Sequence, residues 1–133
     1  YFDAIVSIDS YNYYGRDPHY LGECLLPYVK QGGMLYVSIP GMVQDCHGNF
    51  PACLLKSWTP EQLDYMHDVA WWRAMIEPTP GVEIVSMQPM LCTDEAWEDW
   101  LACDNEYAAG DRAAVETGAL EYLNTIAIVL RKL

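Results

Sequence analysis

Four short runs rich in Val and Ile constrain this chain more than any other feature: Phe2 to Ile8 (FDAIVSI), Met34 to Ile39 (MLYVSI), Val82 to Met87 (VEIVSM) and Thr125 to Leu130 (TIAIVL). Each is too short for a stable helix, and β-branched side chains suit a pleated surface, so all four read as strands. The first, second and fourth lack strict alternation of apolar and polar residues. That pattern predicts strands covered on both faces by helices in a mostly parallel sheet. The third alternates a little and belongs nearer an edge.

Helix punctuation separates the runs. Asp17-Pro18 offers a cap and a favoured first position, with Leu21, Cys24, Leu25 and Tyr28 following at helical spacing, Pro27 as an early kink and Gly32-Gly33 as the stop. Thr59-Pro60-Glu61-Gln62 is a capping box that predicts a helix to about Glu77, before Pro78. Thr93 with Asp94 and Glu95 opens a third helix closed by Gly110, and Asp111 caps a fourth. The longest irregular stretch runs from Pro40 to Trp58. The order β, α, β, loop, α, β, α, α, β predicts an α/β layered domain.

At 133 residues and 52% apolar, the chain can bury one core but not two, so residues 1–133 form a single domain. Four strands leave Phe2 to Ile8 without a neighbour on one side. An apolar strand left so invites aggregation, which predicts that a further segment pairs with it; the alternative is a plain edge strand. The chain enters this strand almost at Tyr1 without an initiator Met, which predicts a partial domain cut from a larger protein.

Seven Lys and Arg against nineteen Asp and Glu leave a net charge of −12, which repels nucleic acid and anionic membrane surfaces. No apolar run approaches the roughly 20 residues of a membrane-spanning helix. Five cysteines at irregular spacing read as free thiols in a reducing, cytoplasmic setting. Asp45-Cys46-His47 with Cys53 has zinc-capable side chains without the four-ligand spacing of a structural site, so no metal is expected. Neither a Gly-x-Ser-x-Gly elbow nor a phosphate-cradling glycine loop is present.

The strongest local signal is the passage from the first strand into Ile8-Asp9-Ser10-Tyr11-Asn12-Tyr13-Tyr14. Ligands of open α/β sheets bind beyond the carboxyl ends of strands. Asp9 can accept hydrogen bonds from an amine or hydroxyl there, and Tyr11, Tyr13 and Tyr14 offer faces to a ring or cation. The alternative is a turn in which Asp9 caps backbone amides and the tyrosines pack.

On the predicted helix from Pro60 to Glu77, Trp72 falls with Tyr65, Val69 and Ile76 on a core stripe, whereas Trp71 falls beside Asp64, His67, Asp68 and Met75 on the wetter face. That face either lines a substrate pocket, with His67 as proton acceptor and Trp71 as a wall, or carries a surface Trp over a loop beside a solvated His. The acidic cluster Asp94, Glu95, Glu98 and Asp99 serves a helix start and also suits a cationic substrate.

A strand ending in Asp9-Ser10 with an aromatic loop, the segment Leu25-Leu26-Pro27-Tyr28-Val29-Lys30-Gln31-Gly32-Gly33, and the strand Met34 to Gly41 together resemble the C-terminal half of a Rossmann-like class I S-adenosylmethionine-dependent methyltransferase. His67 to Arg73, Asp94 to Trp100, and Asp111 to Glu116 leading into the last strand are similar to bacterial members acting on small molecules. The resemblance spans nearly the whole chain and implies an antiparallel last strand. It implies S-adenosylmethionine as cofactor, with Ile8, Asp9, Ser10 and Tyr11 lining its pocket near the transferred methyl.

Tyr13, Tyr14 and Trp71 would then shape the acceptor pocket, and residues 40–72 would form a substrate lid or insertion. The family's glycine-rich loop and ribose-binding acid have no counterpart here, so the resemblance implies a missing N-terminal half as a partner. The reading is methyl transfer to a small molecule, with His67 as the candidate catalytic residue and little activity expected of the isolated fragment. A non-catalytic α/β module binding a small ligand or protein partner is the alternative. A homo-oligomer is compatible with either.

Overall fold

The computed structural model describes residues 1–133. One four-stranded sheet organises it: β1 (Phe2–Ile8), β2 (Val29–Met42), β3 (Val82–Pro89) and β4 (Leu123–Lys132), in the spatial order β1-β2-β4-β3. β1 pairs parallel with β2, whereas β4 runs antiparallel to both β2 and β3. Three strands therefore point one way, but only one of the three ladders is parallel, which corrects the expected mostly parallel sheet. The antiparallel last strand is as expected, and the α/β class holds.

Burial alternates along the two central strands. Leu35, Val37 and Ile39 of β2 and Ile126, Ile128 and Leu130 of β4 point into one core, while Tyr36 on the opposite face is 44% exposed. Instead of the two-sided cover expected, one face is closely packed. It is covered by the helix α3 (Val69–Ile76) through Trp72 and Ile76, and by Tyr11 from the short helix α1 (Tyr11–Tyr14). A second, smaller core of Met42, Leu54, Leu63, Ala114, Ala119 and Leu123 lies at the end of the sheet where β2 stops and β4 begins. It holds the helices α2 (Pro60–Leu63) and α5 (Glu106–Glu116) against that end.

All four expected helices differ for physical reasons. The helix expected after Pro18 becomes a π turn (Leu21–Leu25) and a 3-10 turn (Leu26–Tyr28), and β2 starts at Val29. The glycine pair is part of that strand rather than a stop: a Cβ on Gly33 would lie 2.9 Å from the Asp3 carbonyl oxygen of β1. Only glycine allows so close a backbone approach.

The single helix expected over 60–77 is two. Its capping box is intact, with Thr59 and Gln62 bonded reciprocally, but α2 stops at Leu63. The His67 carbonyl accepts from the Met42 amide of β2 at 2.9 Å, and Asp68 caps α3 by accepting from the Trp71 amide at 2.8 Å. Tertiary partners thus outbid helix continuation across Asp64 to Asp68.

Gly110 ends no helix. The helix α4 (Thr93–Leu101) stops earlier, and Asn105 caps α5, which passes through Gly110 and Asp111. All five cysteines are unpaired, and no helix is long and apolar enough to cross a membrane.

The two sheet edges are unlike. β3 breaks its register between Ile84 and Ser86, ends in Pro89 and ties Glu83 to Arg131 of β4 at 3.3 Å. β1 exposes Phe2, Val6 and Ile8, and its side away from β2 has no strand partner.

Candidate active site

A cavity of about 490 Å³ opens beyond the carboxyl ends of β1 and β2. Its polar floor comes from the strand ends: Asp9 after β1, Ser38 on β2, and Asn124 and Thr125 on β4. Its walls are aromatic: Tyr13 of α1, Trp58 before α2, Tyr65 after it, and Trp97 and Trp100 of α4. Tyr13 and Tyr65 pack at 4.9 Å between ring centroids, and Trp58 meets Trp97 edge to face at 6.0 Å.

The backbone brings Asp9 to this place by an unusual step. Asp9 has φ 57°, the left-handed region, which Asp and Asn tolerate best among residues with a Cβ. Its amide donates to the Ser38 carbonyl at 2.8 Å, so the turn is pinned to β2. No side chain or amide of the protein bonds its carboxylate. Although the residue is exposed on its outer side, partial burial raises its pKa above the ordinary carboxylate value, because desolvation disfavours the charged form.

Other polar groups in the cavity divide into spent and unspent. The Asp111 carboxylate accepts from the Trp100 indole N–H at 3.0 Å and from the Ser57 hydroxyl. The Ser38 hydroxyl donates to the Met90 sulfur at 3.4 Å. Asn12 is 2% exposed and its side-chain oxygen has no partner; the side-chain oxygen of Asn124 is likewise buried and unpartnered. Buried polar atoms are nearly always bonded, so these two oxygens are exceptions among the residues that line the cavity.

The structure separates the residues singled out from the sequence. Asp9 and Tyr13 line the cavity. Ile8 is 72% exposed beside it, and Ser10 shares a hydroxyl triangle with Ser7 and Tyr14 at 3.0–3.1 Å. Tyr14 packs on Tyr11 and Tyr20 instead of facing the cavity. The Tyr11 ring, expected to line a cofactor pocket, is turned into the core against Trp72, and burial chiefly pushes its phenol pKa up. A buried aromatic beside a ligand loop is indistinguishable in sequence from one that contacts the ligand.

His67 and Trp71 lie outside the cavity. The His67 ring is sandwiched between Trp71, at 3.6 Å and 7° between planes, and His47, at 4.5 Å and 18°. Its Nδ1 lies 3.3 Å from Asp45 Oδ2, and Asp45 Oδ1 accepts from the Asp68 amide at 2.7 Å. Burial lowers the His67 pKa, with the Asp45 hydrogen bond opposing. Trp71 also borders a separate 710 Å³ groove with Pro18, Met75 and Pro78.

Asp45, His47 and His67 each offer a metal-type ligand atom within 4.8 Å of one another. The two imidazole planes lie face to face, however, so their in-plane lone pairs run side by side instead of meeting at one ion.

Trp58, Trp97, Trp100, Asn12, Asn124 and Asp111 were not singled out as site residues by the sequence. The available signal was the pair of indoles in Ala96-Trp97-Glu98-Asp99-Trp100, where a helix otherwise acidic and without a buried residue carries two of the largest apolar side chains.

No protein-family model matches the chain, and no curated protein matches it in sequence. Solved structures do match in fold. Phosphoethanolamine N-methyltransferase 2 of Haemonchus contortus, in complex with S-adenosyl-L-methionine, aligns with TM-score 0.68 and 17% identity over 98% of this chain and 33% of its own. Geranyl diphosphate C-methyltransferase of Streptomyces coelicolor, in complex with Mg2+, geranyl diphosphate and S-adenosyl-L-homocysteine, aligns with TM-score 0.68 and 12% identity over 98% of this chain and 46% of its own. A [4+2]-cyclase aligns with TM-score 0.58 and 16% identity over 98% of this chain and 49% of its own. The chain therefore has the fold of the C-terminal half of class I S-adenosylmethionine-dependent methyltransferases, and it spans a third to about a half of these solved chains.

Proposed function

We propose that this chain is the acceptor-binding half of a methyltransferase that moves a methyl group from S-adenosylmethionine to a small molecule. The observation that carries this reading is the Asp9 turn: an unpartnered carboxylate at the carboxyl end of a parallel strand, opening on a 490 Å³ cavity, in a fold shared with methyltransferases. When bound, the cofactor supplies an electrophilic methyl on a sulfonium.

The residues present fit one side of that group. A sulfonium cation beside Asp9 would meet the carboxylate left free, with Ile8 and Ser10 flanking it. The ribose and adenine grip falls to residues outside these 133, joined to the sheet along the free edge of β1, where Val6 and Ile8 are open. That segment of the same domain is the first partner we propose.

Within this chain, catalysis is positioning and desolvation. Tyr13, Trp58, Tyr65, Trp97 and Trp100 hold the acceptor and exclude water, and the segment 40–72 carries part of that wall as a lid. His67 acts as a positioning residue: it fixes the Asp64 to Asp68 bend that places Tyr65 and Met66 in the cavity wall. The [4+2]-cyclase with the same fold shows that the scaffold also hosts other chemistry, so cofactor binding is tested before turnover.

Calorimetric titration of S-adenosylmethionine into the full-length protein should give saturable heat, weakened at least tenfold in Asp9→Ala. Absence of binding heat at millimolar ligand overturns the reading and leaves a non-catalytic binding module.

A further inference from the structure

We propose that the acceptor held in this cavity is a cationic amine, recognised by oxygen acceptors and aromatic faces. The inference rests on the methyl-transfer reading only for what happens to the amine; the recognition stands on the cavity itself.

The cavity's formal charges share one sign, those of Asp9 and Asp111. Asp9 presents a free carboxylate, and the buried Asn12 and Asn124 present carbonyl oxygens without a donor. Two donors that could have answered them are occupied elsewhere: the Trp100 indole N–H on Asp111 and the Ser38 hydroxyl on Met90. No Lys, Arg or His lines the cavity. The Arg16 guanidinium is held over the Tyr65 ring at 3.9 Å from its centroid and is not among the lining groups.

A ligand bearing carboxylate or phosphate would therefore enter with no counter-charge. An ammonium supplies the charge and the N–H donors that the Asp9 carboxylate lacks. Trp58, Trp97, Trp100 and Tyr13 add electron-rich faces, which attract cations more strongly where water is excluded. Asp111 and the net charge of −12 set the surrounding field in the same direction.

Methylation requires a nitrogen lone pair, so the amine must shed a proton. In the transfer the lone pair forms the new C–N bond while the C–S bond of the sulfonium breaks with its electrons kept on sulfur. That proton passes from the ammonium to the Asp9 carboxylate, and on to water, before the C–N bond forms, and the product is the methylated ammonium beside a neutral thioether. Partial burial makes Asp9 a better proton acceptor than an ordinary carboxylate.

The test uses three probes of one size: benzylamine, benzyl alcohol and benzoate. Each is titrated into the full-length protein at neutral pH, with tryptophan fluorescence and calorimetry as readouts. Benzylamine should bind at least tenfold more tightly than benzyl alcohol, with benzoate weakest, and Asp9→Asn should remove most of that preference. Asn tolerates the left-handed φ at this position, so the fold is kept. Asp111→Asn, read in the same way, should reduce the preference by a smaller factor.

Equal binding of the three, tighter binding of benzoate, or no binding of any at millimolar concentration overturns the proposal. So does full displacement of benzylamine by saturating S-adenosylhomocysteine, which would make the cavity the cofactor's. If S-adenosylmethionine binds while the probes show no charge preference, methyl transfer survives and the amine does not. An amine preference without S-adenosylmethionine binding gives the reverse.

Discussion

Two clusters in this molecule combine aromatic rings with aspartates, and they are built to opposite ends. Around His67, the ring is packed on both faces by Trp71 and His47, and Asp45 spends one oxygen on the imidazole and the other on the Asp68 amide. Around the cavity, Asp9 spends neither oxygen on the protein, and Asn12 and Asn124 keep buried oxygens without partners. A cluster whose carboxylate is spent on the protein holds the chain in place, even with His47 Nε2 left unbonded; one whose carboxylate is free, at the carboxyl ends of strands, is shaped for something else. Residue type alone does not separate the two, because Trp, Asp and Tyr occur in both.

The largest expected effect comes from breaking the closed cluster. Asp45→Ala removes the hydrogen bonds to His67 and to the Asp68 amide, leaving partly buried donors unsatisfied. Such losses cost about 2–3 kcal/mol. Urea denaturation should show that decrease, while the affinity of the folded fraction for S-adenosylmethionine changes less than twofold. A tenfold loss of affinity with unchanged stability would place Asp45 in the binding site and erase the contrast.

A substitution beneath the open cluster comes next. Gly41 faces Asn124 across the β2–β4 ladder, and a Cβ there would lie 2.8 Å from the Asn124 side-chain oxygen and 2.4 Å from Ile126. Gly41→Ala should cost about 1–3 kcal/mol by overpacking. It should also weaken amine binding by displacing the Asn124 oxygen. Unaltered probe binding in this variant would remove Asn124 from the recognition set.

How much of this could be read from the chain depends on the range of the forces involved. β1 was legible from Phe2 to Ile8 as it stands, and β2 and β4 were legible at their apolar centres; their ends, such as Val29 and Lys132, are fixed by pairing and not by composition. The capping box at Thr59 was legible because its two bonds span three residues. The bend at Asp64 to Asp68 was not, since the groups that end the helix are Met42 and Asp45, more than 18 positions away. The cap at Asn105 was not legible, because Asp111 is an equally good capping residue by type and only the fold engages its carboxylate with Trp100 and Ser57. In the site, Asp9 and Tyr13 were legible because strand and loop are contiguous. Trp58, Trp97, Trp100 and Asn124 meet only when three distant segments converge, and no local period encodes that meeting.

The closed cluster also makes a pH prediction, smaller because it rests on one side chain whose shift Asp45 opposes. Burial lowers the His67 pKa in the folded state below its ordinary value of 6.5. The unfolded chain then binds more protons in the window between the two values, so stability rises with pH through that window. His67 thus contributes fully above pH 6.5, and the contribution is lost as pH falls through 6.5 toward the folded-state value. The groups facing it are Asp45, which raises the value, and His47 and Arg16, which lower it. Denaturation midpoints measured from pH 7.5 down to 5 should decline in the native protein. The decline should flatten in His67→Leu, and an unchanged slope would show that the ring titrates as it does in water.

The finest distinction lies inside the open cluster, between the faces of its aromatic rings and the orientation of its carboxylates. Trp100 contributes both: a wall to the cavity and an indole N–H that holds Asp111 at 3.0 Å. Trp100→Phe keeps an aromatic face and discards the N–H. Asp111 retains its bond from Ser57, so it loses one of two donors and stays in place. Stability should fall by about 1.5 kcal/mol, the low end for one hydrogen bond to a charged group. If the ring face dominates recognition, benzylamine binding should weaken no more than threefold, because Phe presents a weaker but similarly placed quadrupole. A loss beyond tenfold would mean that the fixed direction of Asp111, rather than the aromatic wall, reads the cation. The open cluster would then depend on the same device as the closed one, an aspartate pinned by a neighbour's N–H, and differ from it only in what the other oxygen faces.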